Sequence, residues 1–113
     1  MSNLAETTVD KAAETGIVFV SSITIVELIY LIERNRVLKD VLVKLREALD
    51  DDTTSFELAE LARGAADELQ NIDRAIVADM PDRIIAATAL YLGIPLVTSD
   101  GNIQKLLNVT TIW

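Results

Sequence analysis

The sequence contains neither cysteine nor histidine. Without cysteine the chain has no disulfide bonds and no thiolate-ligated zinc, which suits a reducing compartment. Without histidine, Ser-His and Cys-His catalysis and histidine-ligated metals are excluded. Any metal bound by this protein would therefore be a hard cation held by oxygen atoms, with Mg²⁺ or Mn²⁺ as the expected ion.

Long apolar runs and basic leader segments are also missing. No apolar run approaches the ~20 residues that a transmembrane helix requires, and the first residues lack the basic stretch and apolar core of a signal peptide. We therefore expect a cytoplasmic protein with no membrane partner. The 113 residues are 50% hydrophobic, which predicts one folded domain over residues 1–113.

Basic residues are scarce, because 10 lysines and arginines face 18 acids and give a net charge of −8. An acidic surface suits a basic protein partner, whereas nucleic-acid binding gains little unless the cations cluster or a metal intervenes. The densest cationic group is Arg34, Arg36 and Lys39, and such charges are usually only solvated. A DNA-binding role is therefore not expected.

Short apolar runs alternate with helical patterns along the chain. The predicted strands are Ile17–Val20, a weaker Thr53–Phe56, Ile94–Val97 and Val109–Trp113. The predicted helices are Leu4–Thr15, Ile23–Arg34, Val37–Leu49, Glu57–Gln70 and Arg83–Leu92, with a short helical turn at Asn102–Leu107. This alternation indicates an α/β fold, a parallel sheet flanked by helices.

The most informative run is MPDRIIAATALYLGIPLVTSD, residues 80–100. It predicts a helix that begins near Asp82, a stop at Gly93 and a buried strand followed by Asp100. In a parallel sheet, the start of such a helix and the end of such a strand can lie at one edge, where α/β proteins bind ligands. Glu27 follows the first strand and is expected near the same edge.

Each of these acids also has an ordinary structural explanation. Glu27 fits a capping box with Thr24 as the N-cap. Asp82 fits the acidic first turn of a helix whose N-cap is Asp79. Asp100 fits an Asx-turn or an N-cap. Jointly, however, three crowded carboxylates repel one another, and a divalent cation that also activates a water nucleophile would relieve that repulsion.

The segments SSITIVEL and MPDRIIAATALYLGIPLVTSD, followed by a final short strand, resemble the PIN-domain family, especially the VapC-type toxins of bacterial toxin–antitoxin pairs. The similarity runs from about Gly16 to the C-terminus. It implies a PIN-like three-layer α/β/α fold and a Mg²⁺- or Mn²⁺-dependent endoribonuclease that cuts RNA with a metal-activated water. It implies that Glu27, Asp82 and Asp100 are the metal-binding and catalytic acids, that Thr98 positions a ligand or water, and that an antitoxin is the partner.

One departure from the family concerns the beginning of the chain. PIN domains normally open with a strand that ends in an aspartate, and this sequence lacks that opening. Glu6 and Asp10 do not match the family aspartate, and Asp10 is only a weak replacement. The chain is thus expected to be N-terminally truncated, either as a shortened or degenerate family member or because its true start lies upstream. A sheet without its central strand leaves costly unpaired edges, which predicts a homodimer or another assembly, in which the sheet can be rearranged.

Three hypotheses follow. The first is a metal-dependent endoribonuclease of the toxin type. The second is a catalytically impaired PIN-like remnant that acts as a protein-binding module in a toxin–antitoxin pair. The third is a general α/β regulatory domain in which the acids serve only as helix caps.

Overall fold

A computed structural model describes residues 17–98 and 100–112. Its elements are β1 (Val18–Ser21), α1 (Ser22–Glu33), α2 (Lys39–Asp50), β2 (Phe56–Ala59), α3 (Arg63–Glu68), a 3₁₀ turn (Leu69–Asn71), α4 (Met80–Leu92), β3 (Leu96–Val97), α5 (Gly101–Gln104) and β4 (Thr111–Ile112). The predicted helix Leu4–Thr15, with Glu6 and Asp10, lies outside the described residues. The contacts form two compact units, residues 17–60 and residues 61–112; the single domain over residues 1–113 stays a prediction.

The first unit is built on a parallel pair of strands. β1 pairs with β2 from Val18 opposite Phe56 to Ser21 opposite Ala59. The chain passes from β1 into α1 without a linker. The turn before β2 is tied to the end of α2, because the Thr54 hydroxyl donates to the carbonyl of Ala48 at 2.6 Å.

Helix α1 ends in a Schellman motif centred on Asn35. Asn35 adopts a left-handed conformation, with φ of 56°. Its backbone N–H donates to the carbonyl of Ile32 at 3.0 Å, and the N–H of Arg36 donates to the carbonyl of Leu31 at 2.9 Å. These two bonds satisfy carbonyls that a helix end leaves open, and asparagine tolerates the conformation better than most residues do. The turn between α1 and α2 is therefore well defined.

The second unit contains a compact apolar core. Its buried members come from α4, α5 and the segments around them: Ile72, Val77, Ala86, Ala87, Ala89, Ile103, Leu106 and Val109. Ala86 and Ala87 are fully buried. Small side chains on this face allow α4 to approach its neighbours closely, as the alanine-rich pattern predicts.

Helix α4 ends at Gly93 in a second Schellman motif. Gly93 has φ of 66°, its N–H donates to the carbonyl of Leu90, and the N–H of Ile94 donates to the carbonyl of Ala89, both at 3.2 Å. β3 then pairs in parallel with β4, with Leu96 opposite Thr111. The predicted sequence of helix, glycine stop and strand is confirmed.

The predicted α/β fold with parallel strands is confirmed, but one part of the chain differs. The helix predicted over Glu57–Gln70 is wrong in its first half, where residues 56–59 form β2 and the helix begins only at Arg63. The weak strand predicted at Thr53–Phe56 is displaced to Phe56–Ala59. Pairing with β1 decides the conformation here, since strand formation depends on neighbouring strands more than on local preference.

None of the described helices is both long enough and apolar enough to cross a membrane.

Candidate functional site

Glu27 lies in the second turn of α1 and is half-buried. The alternative that explained it by a capping box is wrong. The N-cap of α1 is Ser21, whose hydroxyl oxygen accepts the N–H of Ile23 at 3.4 Å. Thr24 is therefore the third residue of the helix and cannot serve as its N-cap. Glu27 is left without the structural role that the sequence suggested for it.

Asp82 lies in the first turn of α4 and is half-buried. The helix begins at Met80, and Asp79 occupies the N-cap position, as predicted. Asp79 makes no side-chain capping bond, however. A carboxylate in the first turn is stabilised by the partial positive charge of the helix N-terminus, so Asp82 lies where a negative charge is favoured.

Asp100 is the N-cap of α5. Its Oδ1 accepts the backbone N–H groups of Asn102 at 2.8 Å and Ile103 at 3.0 Å. This is the N-cap geometry that the sequence offered as the structural alternative. Binding by one carboxylate oxygen fixes the orientation of the Asp100 side chain, whatever further role it has.

Thr98 supports Asp100 directly. The Thr98 hydroxyl oxygen accepts the backbone N–H of Asp100 at 3.0 Å, and the carbonyl of Thr98 accepts the side-chain amide of Gln104 at 3.0 Å. The contact made by the Thr98 hydroxyl is therefore with the backbone of the acid two residues later. The prediction that Thr98 positions a ligand or a water is not tested by this contact.

Arg83 is a positioning residue that the sequence reasoning missed. Its Nη2 donates to the carbonyls of Leu69 at 2.9 Å and Ile72 at 3.1 Å. Its Nε is buried and has no hydrogen-bond partner among the described atoms. Arg83 thereby fixes the first turn of α4, which carries Asp82, to the preceding 3₁₀ turn. The available signal was a lone arginine directly before the apolar run IIAATAL.

The four predicted site residues are divided between the two units. Glu27 belongs to residues 17–60, whereas Asp82, Thr98 and Asp100 belong to residues 61–112. Their carboxylate and hydroxyl oxygens are the donor types that Mg²⁺ and Mn²⁺ prefer. Within the described ranges, however, no group of three or more Asp, Glu, His or Cys residues could hold a metal ion. The described side chains thus define two positioned acids, Asp82 and Asp100, and no metal centre.

The element order, with parallel strand pairs and intervening helices, defines an α/β protein. The family model of the PIN domain matches residues 2–107, and the chain therefore belongs to the PIN domain family. This confirms the resemblance drawn from the two sequence segments.

The fold is also similar to that of a solved structure. A chain of VapBC2 from Rickettsia felis, in a crystal structure bound to a DNA fragment from their promoter, superposes with a TM-score of 0.71. The identity is 17%, and the match covers 95% of this chain and 82% of that chain. At this identity the likeness describes the fold alone. None of the curated proteins compared with the chain matches it.

Proposed function

We propose that this PIN-domain protein is a VapC-type toxin, an endoribonuclease that works in a toxin–antitoxin pair in the cytoplasm. Membership of the PIN family and the fold likeness to a chain of VapBC2 support this function. Glu27, Asp82 and Asp100 are the proposed ligands of a Mg²⁺ or Mn²⁺ ion, whose chemistry when bound would be to activate water for attack on a phosphodiester.

The observation that carries the proposal is the way α4 and β3 hold two acids. Asp82 is in the first turn of α4, and Asp100 comes three residues after the end of β3. Only residues 93–95 connect the helix to the strand, and Leu96 packs against the core that contains Ala86 and Ala87. If β3 runs back alongside α4, the carboxyl end of β3 lies near the N-terminus of α4. This is the edge of the sheet at which α/β proteins bind ligands.

Two contacts support a functional role for this pair by limiting its motion. Arg83 ties the start of α4 to the carbonyls of Leu69 and Ile72. Thr98 holds the backbone of Asp100, whose Oδ1 is fixed by two N–H donors. Acids held by second contacts of this kind are preorganised for binding or catalysis. In this proposal Thr98 acts through Asp100.

The test is RNA cleavage by purified protein in the presence of MgCl₂ or MnCl₂. Cleavage of a mixed RNA pool should appear with the divalent ion and disappear with EDTA. Asp82→Asn and Asp100→Asn should each abolish it, because asparagine keeps the shape of the side chain but removes the charge that holds a cation. Asp79→Asn is the matched control, since Asp79 is a nearby exposed acid with no capping bond.

Two results would contradict the nuclease. One is well-folded protein that cleaves no RNA with any divalent ion. The other is equal loss of cleavage in the Asp79 control, which would indicate a general effect of acid removal. Calorimetry with MnCl₂ supplies an independent measurement, because ion binding should be lost in the Asp82 and Asp100 variants and kept in the control.

The proposed partner is a basic antitoxin, and a second copy of the chain is proposed as well. The net charge of −8 suits a basic protein, and none of the residues of α1 is buried. Val26 and Ile29 share one face of α1 by helical spacing and are 58% and 38% exposed. An exposed apolar face of this kind is typical of a protein interface.

The proposed homodimer is tested by light scattering at micromolar concentration. The measured mass should equal that of two chains, and Val26→Glu should shift the measured mass toward that of one chain.

The second candidate function is a non-catalytic PIN-like module that binds a protein partner. It is favoured by the exposed apolar face of α1 and by the use of Asp100 as a helix cap, a role that needs no metal. This candidate predicts partner binding without RNA cleavage and without calorimetric evidence of a divalent ion. The cleavage and calorimetry experiments above distinguish the two functions directly.

A further inference from the structure

Half of the cations of this acidic chain lie in one short segment. Five of the ten lysines and arginines fall between residues 34 and 46, and the segment contains a single acid, Asp40. The other 17 of the 18 acids lie elsewhere. The segment covers the turn after α1 and the first two turns of α2. It is a local positive surface on a protein that is otherwise negative.

Four of these cations form no ion pair with an acid that the structure describes. Lys44 is paired with Asp40, with Nζ 3.6 Å from Oδ2. The remaining four form what we call the basic strip: Arg34, Arg36, Lys39 and Arg46. All four are exposed, and none has a carboxylate within salt-bridge distance among the residues that the structure describes. Their charges are therefore available to an anionic partner.

Helix geometry aligns part of the basic strip. Lys39 and Arg46 are seven residues apart in α2, which places them on one face about 10 Å apart along the axis. Lys44 lies about 140° around the helix from Lys39, on the flank that carries Asp40. The paired cation and the unpaired ones thus occupy different sides of the same helix.

An aromatic ring adjoins the basic strip. The Arg34 guanidinium lies 3.6 Å from the centroid of the Tyr30 ring, and Tyr30 is 51% exposed. Arg34 and Arg36 flank Asn35, the centre of the Schellman motif that fixes this turn. The ring and the cations are therefore held close together by α1 and its terminal turn.

From this arrangement we infer that Tyr30 and the basic strip bind single-stranded RNA, with phosphates on the cations and a base stacked on the ring. The inference deepens the proposed function and rests on it for the choice of RNA. Exposed cations beside an aromatic platform are the combination that binds single strands without sequence preference. An acidic peptide would satisfy the charges but would make no use of the ring.

The experiment measures binding separately from cleavage. A fluorescent oligouridine is titrated with the full chain in EDTA, by anisotropy, over a range of salt concentrations. The variant Arg36→Gln/Lys39→Gln/Arg46→Gln should weaken binding and lower the slope of log K against log salt by about 2, because each lost phosphate contact on a single strand contributes about 0.7. Lys44→Gln is the matched control, and its affinity and slope should equal those of the unmodified chain.

A second variant tests the ring. Tyr30→Leu keeps an apolar side chain but removes the stacking surface, and should weaken oligouridine binding about tenfold with the salt slope unchanged. Far-ultraviolet circular dichroism of each variant verifies that α1 and α2 are formed. Weakening without a change in slope distinguishes stacking from charge.

Three results would overturn the inference: unchanged affinity in the triple variant, an equal loss in the Lys44 control, or binding of polyglutamate that depends on the basic strip while oligouridine binding does not. The last result would identify an acidic protein as the partner. Failure of the proposed nuclease is a separate outcome. Unmodified protein that binds oligouridine through the basic strip in EDTA, but cleaves no RNA with MgCl₂ or MnCl₂, would refute the nuclease and still support this inference.

Discussion

The backbone N–H of Asp100 donates to the hydroxyl oxygen of Thr98 at 3.0 Å. The carboxylate of Asp100 meanwhile accepts two N–H groups from the start of α5. The residue is thus fixed through its main chain on one side and through its side chain on the other. Any cation or substrate that Asp100 contacts would meet a side chain that is already ordered, so little rotamer entropy would be lost on binding.

The capping role of Asp100 can be separated from its charge. Asp100→Ala should lower the free energy of unfolding by about 1 kcal/mol, because the N–H groups of Asn102 and Ile103 lose their acceptor. Asp100→Asn should cost much less, since asparagine caps helices about as well as aspartate does. Urea unfolding followed by circular dichroism measures both variants. Equal losses in the two variants would show that charge, and not capping, accounts for the stability.

Arg83 should prove important for stability although it lies at the start of α4. Arg83→Met removes the donors to the carbonyls of Leu69 and Ile72 while keeping a long apolar stem. We expect a loss of roughly 1.5–3 kcal/mol, the range for hydrogen bonds to a charged group. Urea unfolding is again the measurement. Arg74→Met is the control, because Arg74 is exposed and should change the stability by less than ~0.5 kcal/mol.

A glycine is required at position 93 because of the backbone conformation there, and not because a side chain would clash with its neighbours. A Cβ at Gly93 would have no heavy atom within 4 Å, but the φ of 66° is strained for a side-chain-bearing residue. Gly93→Ala should therefore cost about 1–2 kcal/mol. Gly101 also has open space around it and no positive φ, so Gly101→Ala should be neutral or slightly stabilising. A thermal melt in which both variants behave alike would refute this account of Gly93.

The carboxylate of Asp51, in the first unit, contributes to folding stability in a pH-dependent way. The Thr53 hydroxyl donates to Oδ1 at 2.6 Å and the Thr53 backbone N–H donates at 2.9 Å. These bonds hold the pKa of Asp51 below its usual value. The pKa of Asp51 is lower in the folded state than in the unfolded state. The stabilisation by this carboxylate is therefore complete at pH values above its unfolded-state pKa, and it is lost as the pH falls through its folded-state pKa.

Carbon-detected NMR titration of the Asp51 carboxyl group tests this. Thr53→Val removes the hydroxyl donor and should move the midpoint upward toward the ordinary aspartate range. Thr54→Val is the control, because the Thr54 hydroxyl donates to main-chain carbonyls of Ala48 and Asp51 and not to the carboxylate. A Thr53 variant with an unchanged midpoint would mean that the backbone N–H alone sets the pKa.

The parts of the fold that depend on interactions between residues close in sequence could be predicted from the sequence. The run from Met80 to Val97 contains an acidic first turn, an alanine face and a glycine stop, and the structure has α4, Gly93 and β3 in that order. The N-cap position of Asp100 was likewise one of the alternatives that its sequence neighbours offered.

The features that were mispredicted depend on distant residues. β2 forms where the pattern favoured a helix, because its backbone pairs with β1, far away in the sequence. Ser21, and not Thr24, caps α1 because the end of β1 decides where the helix begins. The contacts of Arg83 join carbonyls 14 and 11 residues earlier in the chain, which no spacing rule encodes.

The site was predictable only as a set of acids at element ends. Asp82 and Asp100 occupy such ends in the structure, as the pattern indicated. Whether Glu27 joins them to hold a cation depends on tertiary distances that sequence spacing does not contain, so the three-acid site stays a prediction. The ion-binding and cleavage measurements decide it.

The fully buried alanines of α4 restrict how this protein can change over evolutionary time. Ala86 and Ala87 are fully buried, and inserting extra methylenes into a well-packed core costs about 1–3 kcal/mol. An enlargement there would push the helix outward and carry Asp82 with it. Lineages should therefore be able to vary the exposed side of α4 freely, while positions 86 and 87 should admit only glycine, alanine or serine without moving the acid.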